Sequence, residues 1–79
     1  AEVFILRMRK VPVIDASGMH ALREFYYRCQ KDKTVLLLSG VNESVLKSLR
    51  KFGLTELIHE EFIFPHIDLA LKKSIEISG

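Results

Sequence analysis

Short apolar runs along the chain predict three buried strands. Residues 3–8 and 35–38 are rich in bulky and β-branched side chains and do not alternate with polar positions. Residues 62–64 form a shorter run of the same kind. Uninterrupted runs of this type are typical of strands that are covered on both faces, as in a parallel sheet.

Apolar residues spaced three and four positions apart predict three amphipathic helices around these strands. The first helix runs from about Ser17 to Lys31. The second begins near Asn42 and stops at Gly53, and the third has Pro65 in its first turn. The residues expected to face inward are Leu22, Phe25, Tyr26 and Cys29 in the first helix, Val45, Leu46, Leu49 and Phe52 in the second, and Ile67, Ala70, Leu71 and Ile75 in the third.

The resulting order of elements is β-α-β-α-β-α, which predicts an α/β fold. Strand–helix–strand crossovers are almost always right-handed, so we expect the three strands to be parallel neighbours flanked by helices. The 79 residues are sufficient for one small domain, and we expect residues 1–79 to form a single domain.

Composition excludes several classes of protein. A net charge of +2, from 12 Lys and Arg against 10 Asp and Glu, does not indicate a nucleic-acid partner. The longest uninterrupted apolar runs have four residues, whereas a membrane-spanning helix needs about 20. The single cysteine, Cys29, cannot form an internal disulfide, which fits a reducing compartment. Because the chain begins at Ala1 directly inside a predicted strand, we expect it to be a piece of a larger protein.

Compact polar residues lie in the first strand-to-helix turn, residues 11–20. In parallel α/β sheets, ligands and regulatory groups gather where strands end and helices begin. Ser17 is expected at or beside a helix N-terminus, where unpaired N–H groups and the helix dipole would tolerate a phosphate. Spacing alone favours a simpler interpretation, with Ser17 as an ordinary N-cap and Asp15 as a turn residue. Neither a GxxxxGK[ST] loop nor a GxGxxG motif is present to indicate a nucleotide site.

A basic stripe is the second candidate contact surface. Lys47, Arg50 and Lys51 lie on one side of the second predicted helix, where they could meet anionic lipid headgroups or an acidic partner. A solvated helix face explains these residues equally well.

The remaining chemistry-bearing residues do not predict a reaction. No His lies at a metal-ligand spacing from another His, Cys or carboxylate, so we expect surface or capping roles for His20, His59 and His66. Cys29 lies on an apolar stripe and is expected to pack there. Because the sequence supplies no catalytic base, nucleophile or metal site, we expect no enzyme activity, no cofactor and no metal.

Residues 11–22, VPVIDASGMHAL, resemble the signature of the STAS domain (sulfate transporter and anti-sigma-factor antagonist). Residues 5–9 match the strand that leads into this signature. Further similarity lies in residues 36–42, residues 52–54 and residues 63–71. The resemblance spans residues 3–72, which is almost the whole chain.

The resemblance implies a STAS fold from which the N-terminal strands and helix of the full domain are missing, which could leave one sheet edge unprotected. It also implies a non-enzymatic regulatory or docking module. The regulatory loop and partner contact would be formed by Asp15, Ala16, Ser17, Gly18, Met19 and His20. In the antagonist branch, the Ser corresponding to Ser17 is phosphorylated by the partner kinase, and the added negative charge blocks partner binding.

Two subgroups of the family compete. Bacterial anti-sigma-factor antagonists usually carry Ser at position 16 and Gly at position 20, where this chain has Ala16 and His20. Residues 7–9, 11–12 and 64–71 look more like the cytoplasmic tails of SulP anion transporters. We therefore expect a regulatory STAS domain at the cytoplasmic face of the membrane, with the parent's transmembrane domain and cytosolic regulatory proteins as partners. The alternative is a free-standing anti-sigma-factor antagonist regulated by phosphorylation of Ser17.

Overall fold

Within residues 2–78, two parallel strands and three α-helices form the framework of the fold. The computed structural model describes residues 2–78. Strand β1 (Glu2–Arg7) pairs in parallel with strand β2 (Thr34–Ser39), and Arg7 lies opposite Ser39 at the carboxyl end of the register. The helices are α1 (Ala16–Lys31), α2 (Glu43–Lys51) and α3 (Ile67–Ser78). The α/β prediction and the parallel pairing of the first two strands are confirmed.

The two faces of the sheet are covered by different helices. The ring of Phe4 packs edge to face on Phe25 of α1, with ring centroids 5.2 Å apart, so the even-numbered residues of β1 point towards α1. Arg7 and Ser39 instead line a cavity together with Ile67, the first residue of α3. Because side chains alternate along a strand, the odd-numbered residues point towards α3.

The core lies mainly between the sheet and helices α1 and α2. Its buried members are Met8, Met19, Leu22, Cys29, Leu36, Leu38, Val41, Val45, Leu49, Leu54 and Ile58. Burial of one Leu or Val side chain contributes roughly 1.5–3 kcal/mol, so this cluster is the main source of stability. The sequence prediction that Leu22, Cys29, Val45 and Leu49 face inward is confirmed.

Helix α2 begins and ends as predicted. The side chain of Asn42 caps it by accepting a hydrogen bond from the Val45 amide at 2.8 Å. Gly53 follows with a φ of 77°, in the left-handed region that favours glycine. Phe52 was expected to face inward, but it occupies the C-cap position and is exposed. Because Phe52 follows the last residue of the helix, the helical periodicity no longer determines the direction of its side chain.

The predicted third strand is reduced to one residue. A short 3-10 helix, Glu60–Phe62, occupies the start of the expected run. Of residues 62–64, only Ile63 forms a parallel bridge, to Leu38, and the Phe64 amide donates to the Leu38 carbonyl at 2.8 Å. Pro65 follows at once and has no N–H group to continue a ladder. A three-residue apolar run is therefore enough for a bridge but not for a strand.

Helix α3 buries only part of the face that was predicted. Ala70 is buried as expected, but Leu71 is 48% exposed and Ile75 is 70% exposed. The half-buried residues of the helix are Ile67, Lys73, Ser74 and Ile77. The helix begins two residues after Pro65, so Pro65 lies before the first turn instead of inside it. Because apolar residues lie on several sides of this helix, the sequence alone does not determine which side is buried.

Candidate functional site

Asp15 determines where α1 begins. Its carboxylate oxygen Oδ1 accepts a hydrogen bond from the Gly18 amide at 2.8 Å, and its main-chain carbonyl accepts one from the Met19 amide at 2.9 Å. These contacts satisfy two of the amide donors at the helix start. The interpretation with Ser17 as N-cap is wrong, because Asp15 is the N-cap and Ser17 is the second residue of the helix.

The exposed start of α1 presents small and polar side chains. Asp15, Ala16, Ser17 and His20 are all exposed. The first amides of a helix have no acceptor within it, so negative charge is favoured beside Ala16 and Ser17. The carboxylate of Asp15 opposes a second negative charge there. His20 Nε2 lies 3.7 Å from Glu24 Oε1, a contact between two well-exposed side chains that contributes little to stability.

Gly18 and Met19 belong to the packing beneath this surface. The Met19 side chain is 2% exposed and lies in the core, so the expectation that it contacts a partner is wrong. Gly18 is half-buried, and a Cβ atom there would lie 2.8 Å from Ile14 Cγ1 and 3.4 Å from Asp15 Oδ1. The helix start can therefore lie close to Ile14 only with glycine at position 18 or with a shift of the Ile14 side chain.

Asn42 connects this turn to α2, a role that sequence reasoning missed. While its Oδ1 atom caps α2, its Nδ2 atom donates to the carbonyl oxygens of Val11 at 3.2 Å and Pro12 at 3.3 Å. One amide group thus holds the start of α2 and the chain leading into α1 together. The N-cap signal is local and visible in the sequence, but the partners at Val11 and Pro12 are 31 and 30 positions away.

The basic stripe on α2 is partly neutralised. Arg50 donates from Nη2 to Glu60 Oε1 at 2.7 Å and from Nε to Oε2 at 3.1 Å. This bidentate hydrogen bonding raises the pKa of Arg50 and lowers the pKa of Glu60. Lys47 and Lys51 are exposed and form no ion pair with any of residues 2–78. Two lysines, instead of three cations, remain available on this face.

Other reactive groups do not assemble into a second centre in the part of the chain that is described. No group of three or more His, Cys, Asp and Glu side chains there could hold a metal ion. The Cys29 thiol is buried, and this burial, with a smaller effect of the nearby Asp32 charge, raises its pKa. None of the helices within residues 2–78 has both the length and the apolar character required to span a membrane.

Comparison with protein families identifies the domain. Residues 1–70 match the STAS domain model. The chain belongs to the STAS domain family. The STAS fold that the resemblance implied is thereby confirmed.

The relatives of this STAS domain are described as sulfate transporters. The chain is 43% identical over 60 residues to "High affinity sulfate transporter 1" of Stylosanthes hamata, a match that covers 76% of the chain and 9% of that protein. It is 29% identical over 72 residues to "Sulfate transporter 4.1, chloroplastic" of Arabidopsis thaliana, which covers 91% of the chain and 10% of the relative. The STAS domain thus spans about a tenth of the length of these curated relatives.

A solved structure gives the same result. The crystal structure of a sulfate transporter family protein from Wolinella succinogenes matches with a TM-score of 0.95 and 53% sequence identity. The match covers 98% of this chain and 63% of that one. The fold and the similarity to sulfate transporter proteins therefore rest on the sequence and on the three-dimensional structure together.

Proposed function

We propose that this STAS domain is the cytoplasmic regulatory and protein-interaction domain of a SulP-type sulfate or anion transporter. The observation that carries the proposal is the 53% identity to a structure of a sulfate transporter family protein over nearly the whole chain. Residues 1–79 form one domain, which acts through contacts and catalyses no reaction. It reaches the membrane through the parent protein, whose transmembrane domain and cytosolic regulators are its partners.

The regulatory surface in this proposal is the exposed start of α1, formed by Asp15, Ala16, Ser17 and His20. Two features support it. The surface is accessible, and it is held in place by the Asp15 cap and by the bonds from Asn42 to the preceding turn. A phosphate on Ser17 would add about 1.5–2 negative charges beside the Asp15 carboxylate and change how the surface binds.

The gene sequence upstream of Ala1 tests the identity of the parent. A SulP-type transporter requires ten or more stretches of about 20 apolar residues in that region. A start codon a short distance upstream, with no such stretches, would overturn the transporter proposal and favour the free-standing antagonist. The relatives described above are named as sulfate transporters or as a sulfate transporter family protein, which favours the first outcome.

Sulfate uptake by the parent protein tests the regulatory surface. The Ser17→Glu variant adds a charge at the second position of α1, where the helix dipole tolerates it. Ser44→Glu is the matched control, because Ser44 is the exposed second residue of α2. We expect uptake to change several-fold for Ser17→Glu at equal protein level and to stay unchanged for Ser44→Glu. Equal uptake by both variants would exclude the start of α1 as the regulatory surface.

A further inference from the structure

A cavity whose lining includes charged and polar side chains lies on the α3 face of the sheet, at the carboxyl ends of β1 and β2. Its volume is about 250 Å³, and none of residues 15–20 lines it. The residues that matter for its chemistry are Arg7, Arg9, Ser39, His66, Ile67 and Asp68. The position is separate from the regulatory surface of α1, although both lie where ligands of parallel α/β sheets bind.

Two arginines supply positive charge to this cavity. Arg7 and Arg9 are exposed, and neither forms an ion pair or a side-chain hydrogen bond with the rest of residues 2–78. The Arg9 backbone packs directly against Gly40, where a Cβ atom would lie 2.7 Å from the Arg9 amide nitrogen. Gly40 also has a φ of 69°, which other residues rarely adopt. The close approach of the Arg9 backbone to the end of β2 thus depends on this glycine.

Ser39 supplies a buried hydroxyl group. The residue is 1% exposed and lines the cavity, and its side chain points to the same face as that of Arg7, its partner in the register. No side-chain hydrogen bond among residues 2–78 involves Ser39. Yet no side-chain polar atom in these residues is both fully enclosed and unpaired. The Ser39 hydroxyl therefore faces the cavity and is available to donate a hydrogen bond.

The first turn of α3 completes the site. The helix has 12 residues, and its first residue, Ile67, lines the cavity. Amides at a helix start have no acceptor within the helix, and the helix dipole favours an anion beside them. Guanidinium groups, a hydroxyl and helix amides together are the donors that recognise a phosphate or sulfate group.

We propose that this cavity binds a tetrahedral oxyanion, either free sulfate or phosphate or the phosphate group of a larger molecule. The volume is below the roughly 300–1,000 Å³ of a typical site for a drug-sized ligand, which fits a small anion with its water. Asp68, in the first turn of α3, opposes the anion and keeps its affinity modest. The proposal does not depend on the identity of the parent protein.

Titration of the folded protein with sodium sulfate, followed by amide NMR at constant ionic strength, tests the site. We expect saturable shifts at Arg7, Ser39, Ile67 and Asp68, and no such shifts with sodium chloride. Charge-assisted hydrogen bonds are strong enough that Arg7→Gln and Arg9→Gln should each weaken binding about tenfold. Equal shifts with chloride would overturn the proposal, because they would indicate only screening of the arginine charges.

Further variants separate a specific site from general attraction to a basic protein. Arg28→Gln removes the same charge from an exposed position on α1 and should leave the affinity unchanged. Asp68→Asn should tighten binding severalfold because it removes repulsion, and Ser39→Ala should weaken it. If the buried Ser39 variant does not fold, the two exposed arginine variants decide the question. An equal loss in Arg28→Gln and Arg7→Gln would contradict the proposal.

Inorganic phosphate and adenosine monophosphate distinguish the two sources of the anion. Binding of sulfate and inorganic phosphate without the nucleotide would assign the site to a free anion. Tighter binding of adenosine monophosphate than of inorganic phosphate would assign it to the phosphate group of a larger molecule. Saturable binding of none of the three would overturn the proposal.

Discussion

Gly18 has opposing effects on stability at the scale of a single residue. In an ordinary helix, replacing Gly with Ala stabilises by roughly 0.5–1 kcal/mol because the unfolded chain loses conformational freedom. Here the added methyl group would lie 2.8 Å from Ile14 Cγ1, and overpacking of this kind costs about 1–3 kcal/mol. We expect Gly18→Ala to lower the free energy of unfolding by about 1 kcal/mol, measured by urea denaturation.

The Ile14→Ala background is the control for this prediction. Without the Ile14 Cγ1 atom, the added methyl group has no close neighbour in that direction, so Gly18→Ala should become neutral or stabilising. The difference between the two backgrounds is the coupling free energy of the pair. If Gly18→Ala lowers stability equally in both backgrounds, contact with Ile14 is not the cause.

Single residues of the candidate site also differ in how far the sequence could predict them. Ser17 and His20 are exposed as expected of a contact surface. The assignment of the cap to Ser17 failed because both Asp15 and Ser17 are good N-cap types, and local spacing does not decide between them. Met19 was misassigned because a motif shared with a family says nothing about which of its side chains point into the core.

At the scale of elements, local periodicity predicted α1, α2 and the first two strands to within one or two residues. These segments have one dominant apolar pattern each, and their caps or stop signals are local. The third strand and the buried face of α3 were not predictable in this way. Residues 62–64 are too few for periodicity to distinguish a bridge from a strand, and the orientation of α3 depends on packing against the sheet.

The connection between α2 and the turn before α1 depends on the amide of Asn42. Asn, Asp and Ser are similar as N-caps, so substitution by Asp or Ser keeps α2 capped. Ser loses the donor to Val11 and Pro12, at a cost of about 1 kcal/mol, and Asp adds repulsion between its carboxylate and their carbonyl oxygens. We therefore expect the free energy of unfolding to decrease from wild type to Asn42→Ser and again from Asn42→Ser to Asn42→Asp.

Urea denaturation gives this order, and hydrogen exchange of the amides at residues 11–20 locates the effect. Exchange there should speed up in both variants, while α2 keeps its protection. The helix dipole alone would make Asp the better residue at the start of α2. A variant Asn42→Asp that is as stable as Asn42→Ser would therefore show that capping, and not the connection to the turn, is what Asn42 contributes.

The ion pair between α2 and the 3-10 helix Glu60–Phe62 predicts a pH dependence. The hydrogen bond from Arg50 lowers the pKa of Glu60 in the folded protein below its ordinary value of 4.5. Its contribution to stability is therefore complete above that ordinary value and is lost as the pH falls through the lowered one. Because both side chains are well exposed, the effect is small and weakens with added salt.

Urea denaturation at pH 6 and at pH 3 measures this contribution. The wild type should lose more stability between the two pH values than Glu60→Gln does. Glu61→Gln is the matched control, because Glu61 is adjacent and exposed and forms no ion pair within residues 2–78. If Glu61→Gln flattens the pH dependence as much as Glu60→Gln, general charge repulsion at low pH is responsible instead.

At the scale of the whole molecule, one edge of the sheet is open. Within residues 2–78, β1 pairs only with β2, so its other edge has unpaired N–H and C=O groups. Beside that strand lies a groove of about 430 Å³, lined mostly by apolar side chains, among them Phe4, Leu6, Ile14 and Phe25. An open strand edge next to exposed apolar surface favours association with another chain.

We expect the 79-residue chain, on its own, to self-associate through this region, with a weight-average mass that rises with concentration in sedimentation equilibrium. Phe4→Lys should shift the chain towards monomer, because a charged side chain on an edge strand opposes pairing. Tyr27→Lys is the matched control, since Phe4 and Tyr27 are 46% and 49% exposed and each packs edge to face on one neighbouring ring. A wild-type chain that stays monomeric at all concentrations, or an equal effect of the two variants, would contradict association through β1.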